Sequence, residues 1–277
     1  MKRIGLIHPG AMGASVGAAA RSNQHTVLWA SQGRSEDTWA RARRGNLEDV
    51  DTVSELVKAS EIVLAICPPH AAADVAREVS ELGFSGIYVE GNAISPDRTR
   101  AIQRIVEDAG AHYVDGGIIG GPAWKPEAST HLYLSGSRAE EVAACFTGSP
   151  LLASVISDRI GAASALKMGY AAFTKGTTAL LTAILGLVEK EGVRADLARQ
   201  WGDAFTKQTI RRVCSDTAKA WRFEGEMYEI AATFREAGLP GEFHQAAAQV
   251  YKRLAVFKDR DESPAIEEVL EVLLQGG

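Results

Sequence analysis

The sequence predicts an α/β domain built on a parallel sheet, followed by an all-α domain. Three observations carry this reading. Short β-rich runs alternate with helical stretches over residues 1–160, a glycine-rich turn joins the first run to the first helix, and strand signals stop after Gly161. The boundary is therefore set at 160/161, giving domains 1–160 and 161–277. With 277 residues and 46% hydrophobic content, the chain has enough apolar material for two cores.

Candidate strands occupy residues 3–7, 26–29, 62–66, 86–90, 112–116 and 130–135, with a short run near Val155. Helices fit between them at 12–21, 52–58, 71–82, 95–109 and 138–146. Ser95-Pro96 reads as an N-cap followed by a first-turn proline. In the second half, Gly192-Val193, residues 238–241 and residues 259–264 break the chain into helices. The apolar run 177–188 lies between Lys175 and Glu189-Lys190-Glu191. By itself it is too short to cross a bilayer, so a buried helix is expected. Met1-Lys2-Arg3 resembles a basic leader opening, but the apolar residues after it stop at His8-Pro9-Gly10, so this segment reads as the first strand.

The formal net charge of −5 gives no broad basic field, and neither nucleic acid nor a membrane surface is expected as a partner. Cys67, Cys145 and Cys214 are odd in number and widely separated, which points to a reducing, cytoplasmic location. The six histidines form no HExxH or similar spacing, so no metal is expected. Ser15 lies in a glycine-rich loop without a GxSxG elbow, which argues against serine hydrolase chemistry.

Chemistry enters at His8-Pro9-Gly10-Ala11-Met12-Gly13, between the first strand and an alanine-rich helix. This is the context of a dinucleotide phosphate loop in a Rossmann domain. Gly10 lets backbone approach a pyrophosphate, Gly13 lets helix and strand pack closely, and the amides of Ala11 and Met12 open the helix N-terminus. His8 stands where the usual pattern has its first glycine. At the end of the second run no carboxylate precedes Glu36; Ser31, Arg34 and Ser35 are there instead. A carboxylate would select NAD through the ribose hydroxyls, whereas this trio suits a 2′-phosphate, so NADP is the expected cofactor.

Together with three later motifs, these segments resemble the β-hydroxyacid dehydrogenase superfamily, which includes 3-hydroxyisobutyrate and 6-phosphogluconate dehydrogenases. Glu90-Gly91-Asn92-Ala93-Ile94-Ser95-Pro96 is similar to that family's substrate loop, and Gly120-Gly121-Pro122 ends a glycine-rich stretch, beginning at Asp115, that resembles its carboxylate-holding loop. Gly161-Ala162-Ala163-Ser164-Ala165-Leu166-Lys167 resembles the segment bearing its catalytic lysine. The resemblance implies an NADP-dependent dehydrogenase or reductase of a small β-hydroxyacid or related carbonyl compound, with Lys167 as general acid/base. It also implies cofactor contacts at Cys67, Pro68 and Asn92, and substrate contacts at Asn92, Ala93, Gly120, Gly121 and Pro122.

Two positions depart from the pattern. Ala171 replaces the family's Asn, and Tyr170 stands where phosphogluconate dehydrogenases carry His; either Tyr170 takes over the orienting hydrogen bond or the substrate differs from the well-known ones. Trp221, Met227 and His244 are candidate substrate contacts in the helical domain. The same resemblance implies a homodimer, and residues 171–188 are apolar around more of a helix than one small domain readily covers. Imine reduction and non-catalytic NADP sensing are the alternative functions.

Overall fold

The sheet of the N-terminal part explains where its chemistry gathers. In the computed structural model, which describes residues 1–258, 260 and 262–275, the chain divides into two units, Met1–Lys167 and Met168–Gly277. The expected break at 259–264 falls partly on Asp259 and Asp261, outside the described residues.

The first unit holds β1 (Arg3–Ile7), β2 (Thr26–Trp29), β3 (Glu48–Asp49), β4 (Ile62–Ala65), β5 (Ile87–Glu90), β6 (His112–Ile119), β7 (Thr130–Ser135) and β8 (Leu151–Ser157). They form one sheet in the order β3-β2-β1-β4-β5-β6-β7-β8. The strands from β3 to β6 are parallel, so their C-terminal ends share one edge, and the chain reverses its winding between β1 and β4. Open sheets of this kind bind ligands at such a switch point. Ile4, Leu6, Val63, Leu64, Tyr88 and Val89 are all buried, the continuous apolar burial of a sheet covered on both faces.

The helices of this unit are α1 (Ala11–Ser22), α2 (Glu36–Arg44), α3 (Val53–Ala59), α4 (Ala72–Glu81), α5 (Pro96–Asp108) and α6 (Ala139–Ala144), with the start of α7 (Ala162–Ala171). Neither α2 nor β3 is expected from the sequence. Only Ala42 of α2 is buried, so it has no apolar stripe to announce it, and β3 is a two-residue edge strand.

A larger correction concerns β6. It runs to Ile119, and β7 pairs with it antiparallel, setting Gly116 opposite Leu134 and Gly117 opposite Tyr133. Those two glycines are buried strand residues, not part of a ligand-binding loop. Their lack of side chains serves packing instead. A Cβ on Gly117 would lie 2.6 Å from the Ala163 carbonyl oxygen and 3.1 Å from Lys167 Cβ, so α7 crosses the strand in near contact.

The start of α7 is tied down by Asp115, buried in β6. Its carboxylate accepts from the backbone of Gly161 (3.0 Å) and Ser164 (3.1 Å), and from the hydroxyls of Ser164 (2.6 Å) and Ser135 (2.9 Å). Ser135 Oγ in turn accepts from Ala163 N at 3.2 Å. These bonds hold residues 161–167 to the sheet, which is why the division falls at 167/168 and not at 160/161.

The second unit contains α8 (Thr177–Lys190), α9 (Arg194–Trp201), α10 (Asp203–Thr217), α11 (Ala220–Glu236), α12 (Glu242–Leu254) and α13 (Ile266–Gln275). Here α8 packs against α10, α12 and α13, and α11 packs along α12. The helical stretch is longer than the apolar run implied. It covers Ala162–Lys190, 29 residues with a π turn at Ala172–Gly176, and its best 18-residue window has mean hydropathy 1.5. By length and composition it is sufficient to cross a membrane, so the expectation based on shortness fails. Half of that window is buried in the protein, as in the core helix of a folded domain.

Gly117→Ala tests the close approach of α7. Overpacking of this kind costs about 1–3 kcal/mol, whereas a substitution into open space stays within about 0.5 kcal/mol. A methyl group on Gly121 would meet nothing within 4 Å, so Gly121→Ala serves as the comparison. Urea unfolding that finds Gly117→Ala no costlier than Gly121→Ala contradicts the packing described.

Candidate active site

The turn after β1 starts the site. His8 adopts a left-handed backbone (φ 63°), and its carbonyl oxygen accepts from Gly10 N at 2.7 Å. A Cβ on Gly13 would stand 2.8 Å from that oxygen, so only glycine lets α1 start so close to the strand. Gly10 caps α1 without a side-chain hydrogen bond, leaving the first-turn amides of Ala11, Met12 and Gly13 to an anion. These features fit a dinucleotide pyrophosphate.

The segment after β2 lies against this turn. Arg34 Nη1 is 2.6 Å from His8 Nδ1, and Arg34 Nε is buried without a partner among the described residues. Burial and the neighbouring Arg34 charge push the His8 imidazole down to about 4, so it is neutral near pH 7. Ser31 is buried. Ser35 is the N-cap of α2, where its hydroxyl accepts from Thr38 N at 3.4 Å. Sequence reasoning missed Arg41. On α2, Arg41 Nε donates to the Pro9 carbonyl at 3.3 Å and Nη2 to Thr38 Oγ1 at 3.0 Å. Only the placement of α2 makes this residue recognisable.

The ends of β4 and β5 are joined through Asn92. Its Oδ1 accepts from Cys67 N at 2.5 Å, its Nδ2 donates to Cys67 Sγ at 3.3 Å, and its own backbone N–H donates to Glu90 Oε1 at 3.0 Å. The structure thus brings Cys67 and Asn92 together, with Pro68 and Ala93 beside them in sequence. Glu90 is fully buried and its Oε2 has no partner among the described residues. Burial raises its pKa to about 8, so it is largely protonated at neutral pH. Burial also lifts the Cys67 thiol to about 12, with the Glu90 charge adding to the shift, which removes it as a thiolate nucleophile.

The turn after β6 consists of Gly120, Gly121 and Pro122, all three exposed. Thr130 Oγ1 donates to the Gly121 carbonyl at 2.6 Å, and Ala123 N donates to Ser15 Oγ of α1 at 2.9 Å. The expected carboxylate loop is therefore shorter than the sequence implied, and it is tied to the phosphate-loop helix. Lys167 is half-buried on α7, over Gly117 of β6.

The other expected residues belong to the second unit. Tyr170 is 47% exposed. Trp221 and Met227 do not share a face of α11: six residues turn a helix by about 240° net. Met227 falls on the buried stripe of Ala220, Phe223, Ile230 and Ala231, so its expected place in a pocket wall gives way to packing. Trp221 is partly exposed with Lys258 Nζ 4.8 Å from its ring centroid. His244 is buried against Phe234 and Phe243; burial lowers its pKa, and its Nδ1 has no partner among the described residues. Gly176 of the π turn packs on the His244 ring. Sequence reasoning also missed the largely buried pair of Lys175 and Glu226, with Lys175 over the Phe223 ring.

A glycine turn at the switch point of a parallel sheet, opening an uncapped helix, defines a dinucleotide-binding domain. Residues 3–148 match the NAD binding domain of 6-phosphogluconate dehydrogenase, and the chain belongs to that family. Residues 188–254 match a domain of unknown function, DUF1932. An uncharacterised 28.5 kDa protein of Methanothermus fervidus is 30% identical over 167 residues, 60% of this chain and 63% of the relative. Mitochondrial 3-hydroxyisobutyrate dehydrogenase of Drosophila melanogaster is 24% identical over 176 residues, 62% of this chain and 51% of the relative. The matches thus span less than two thirds of these two relatives. Among solved structures, MTH1747, a conserved protein of unknown function described as similar to 3-hydroxyacid dehydrogenases, has TM-score 0.68 and 26% identity, covering 92% of this chain and 97% of its own. A Salmonella typhimurium 3-hydroxyisobutyrate dehydrogenase has TM-score 0.71 and 15% identity, covering 98% and 100%. An imine reductase from Myxococcus stipitatus, solved with NAD+, has TM-score 0.57 and 19% identity, covering 99% and 100%. At these last two identities the likeness is one of fold.

The buried Glu90 predicts a pH effect on stability. In the unfolded chain it ionises near the ordinary carboxylate value, whereas in the folded chain it keeps its proton up to about 8. Its contribution is therefore complete below the unfolded value and is lost as pH rises through about 8. His8, held neutral, has the opposite slope between about 4 and its ordinary value, so the comparison needs a variant that keeps it. Relative to Glu90→Gln, the wild type should lose urea resistance as pH is raised from mildly acid to mildly alkaline; parallel profiles would mean that Glu90 is ionised throughout.

Proposed function

We propose that the protein is an NADP-preferring oxidoreductase acting on a small β-hydroxyacid or the related carbonyl compound, with Lys167 as general acid/base. The observation that carries this is the anchoring of α7 by Asp115, which holds Lys167 over Gly117, two residues before the C-terminal end of β6. A bound nicotinamide cofactor supplies or accepts the hydride. In oxidation the neutral Lys167 amine takes the proton of the substrate hydroxyl, and in reduction the ammonium returns it to the carbonyl oxygen. Gly10, Ala11, Met12 and Gly13 hold the pyrophosphate, Arg34 and Arg41 favour an adenosine 2′-phosphate, and Asn92 orders the loops beside the nicotinamide. Gly120, Gly121 and Ala93 offer backbone to the substrate. The free thiols of Cys67, Cys145 and Cys214 accord with a cytoplasmic location.

We also propose a homodimer. Phe173, Leu180 and Leu187 are exposed at seven-residue spacing, an apolar stripe on the long helix suited to a second copy. Sedimentation should show a dimer at micromolar concentration, with Leu180→Glu/Leu187→Glu shifting it to monomer; a monomeric wild type contradicts this assembly.

Activity is tested against hydroxyacid, aldehyde and cyclic-imine panels with both cofactors. On the best oxygen substrate, Lys167→Ala should lower kcat by about 10²- to 10⁴-fold while cofactor affinity stays nearly unchanged. Activity confined to imines, or a Lys167→Ala variant that keeps most of its rate, contradicts the assignment. Arg34→Ala should cost NADPH binding roughly 1.5–3 kcal/mol, the range for a hydrogen bond to a charged group, and leave NADH binding largely intact.

A further inference from the structure

His8 takes a left-handed backbone at the loop position where a glycine would be free of strain. A side chain kept at such a position calls for a compensating contact. That contact is Arg34: Nη1 lies 2.6 Å from His8 Nδ1, and a guanidinium only donates, so Nδ1 is the acceptor and carries no proton. Arg34 makes no ion pair with a carboxylate among the described residues, and its Nε is buried and unpartnered there. Arg41 Nε is fastened to the next residue through the Pro9 carbonyl. Consecutive residues of the phosphate loop therefore each hold one guanidinium.

We propose that His8 is a positioning residue for cofactor selectivity, an acceptor built into the phosphate loop that aims Arg34 at a phosphate monoester on the adenosine ribose. The inference rests on the NADP preference proposed above. A carboxylate at this position would orient Arg34 equally well but neutralise it. A glycine would relieve the backbone and leave the guanidinium unheld. The imidazole orients the arginine and leaves its positive charge for the ligand.

The test is direct binding of NADPH, NADH and 2′,5′-ADP to the full chain, followed by fluorescence or calorimetry, with melting temperature as the check on folding. Wild type should prefer NADPH. His8→Gly should weaken NADPH and 2′,5′-ADP about tenfold, within the coupling range of residues that share a hydrogen bond, with little change for NADH and no fall in melting temperature. His8→Asn, which tolerates the left-handed backbone and places an acceptor oxygen at the same branch point, should recover most of that loss. The double variant His8→Gly/Arg34→Ala should bind NADPH no more weakly than Arg34→Ala. Equal wild-type affinity for NADPH and NADH overturns the NADP preference and this inference with it. A preference that Arg34→Ala abolishes and His8→Gly leaves intact overturns the role of His8 alone, as does a His8→Gly variant that weakens both dinucleotides equally.

Discussion

The buried carboxylate of Asp115 governs the placement of the candidate catalytic lysine. It gathers two backbone amides from the start of α7 and two serine hydroxyls. Removing one partner from such a network strands buried donors at about 1–3 kcal/mol each, a large share of a domain's net stability of about 5–15 kcal/mol. The remaining features of this region follow from it. Helix α7 is drawn onto β6, Gly117 must lack a side chain where they cross, and Lys167 joins the nucleotide-binding unit although its helix continues beyond it.

Charge along the sheet edge is distributed to the same end. Two titratable groups at the C-terminal ends of strands, His8 just after β1 and Glu90 closing β5, are pushed by burial to their uncharged forms. The uncompensated charge beside the phosphate loop is therefore positive, from Arg34 and Arg41, close to the uncapped amides of α1. An anion meets a helix N-terminus and two guanidinium groups there, with no ionised acid among the contacts that hold them. Uncharged hydrogen bonds from Cys67 N to Asn92 Oδ1 and from Ala123 N to Ser15 Oγ do the structural joining of adjacent segments.

Much of this was legible in the sequence, and the omissions have physical causes. The bounds of β1, β2 and β7 agree with expectation, since each is an apolar or β-branched run between clear breaks. The glycine loop is recognisable because its spacing reflects two close approaches of backbone. Gly116 and Gly117 misled because glycine serves a tight turn and a crowded strand alike, and only the position of α7 tells them apart. Helix α2 escaped because it buries only Ala42, and the meaning of Arg41 was hidden with it. Met227 looked like a pocket residue in isolation, but its spacing from Phe223 and Ile230 belongs to a buried stripe. The joining of α7 to α8 through a π turn leaves no mark in composition.

On the proposed mechanism Asp115 acts on chemistry through Lys167, and a double-mutant cycle in kcat reads that coupling. Asp115→Asn keeps the size of the side chain but turns a donor toward the amides of Gly161 and Ser164. The account predicts that folded Asp115→Asn retains NADPH affinity, loses turnover, and adds little further loss when combined with Lys167→Ala, because both remove the same placed amine. Fully additive losses, or an Asp115→Asn variant that melts normally and turns over at the wild-type rate, would contradict it.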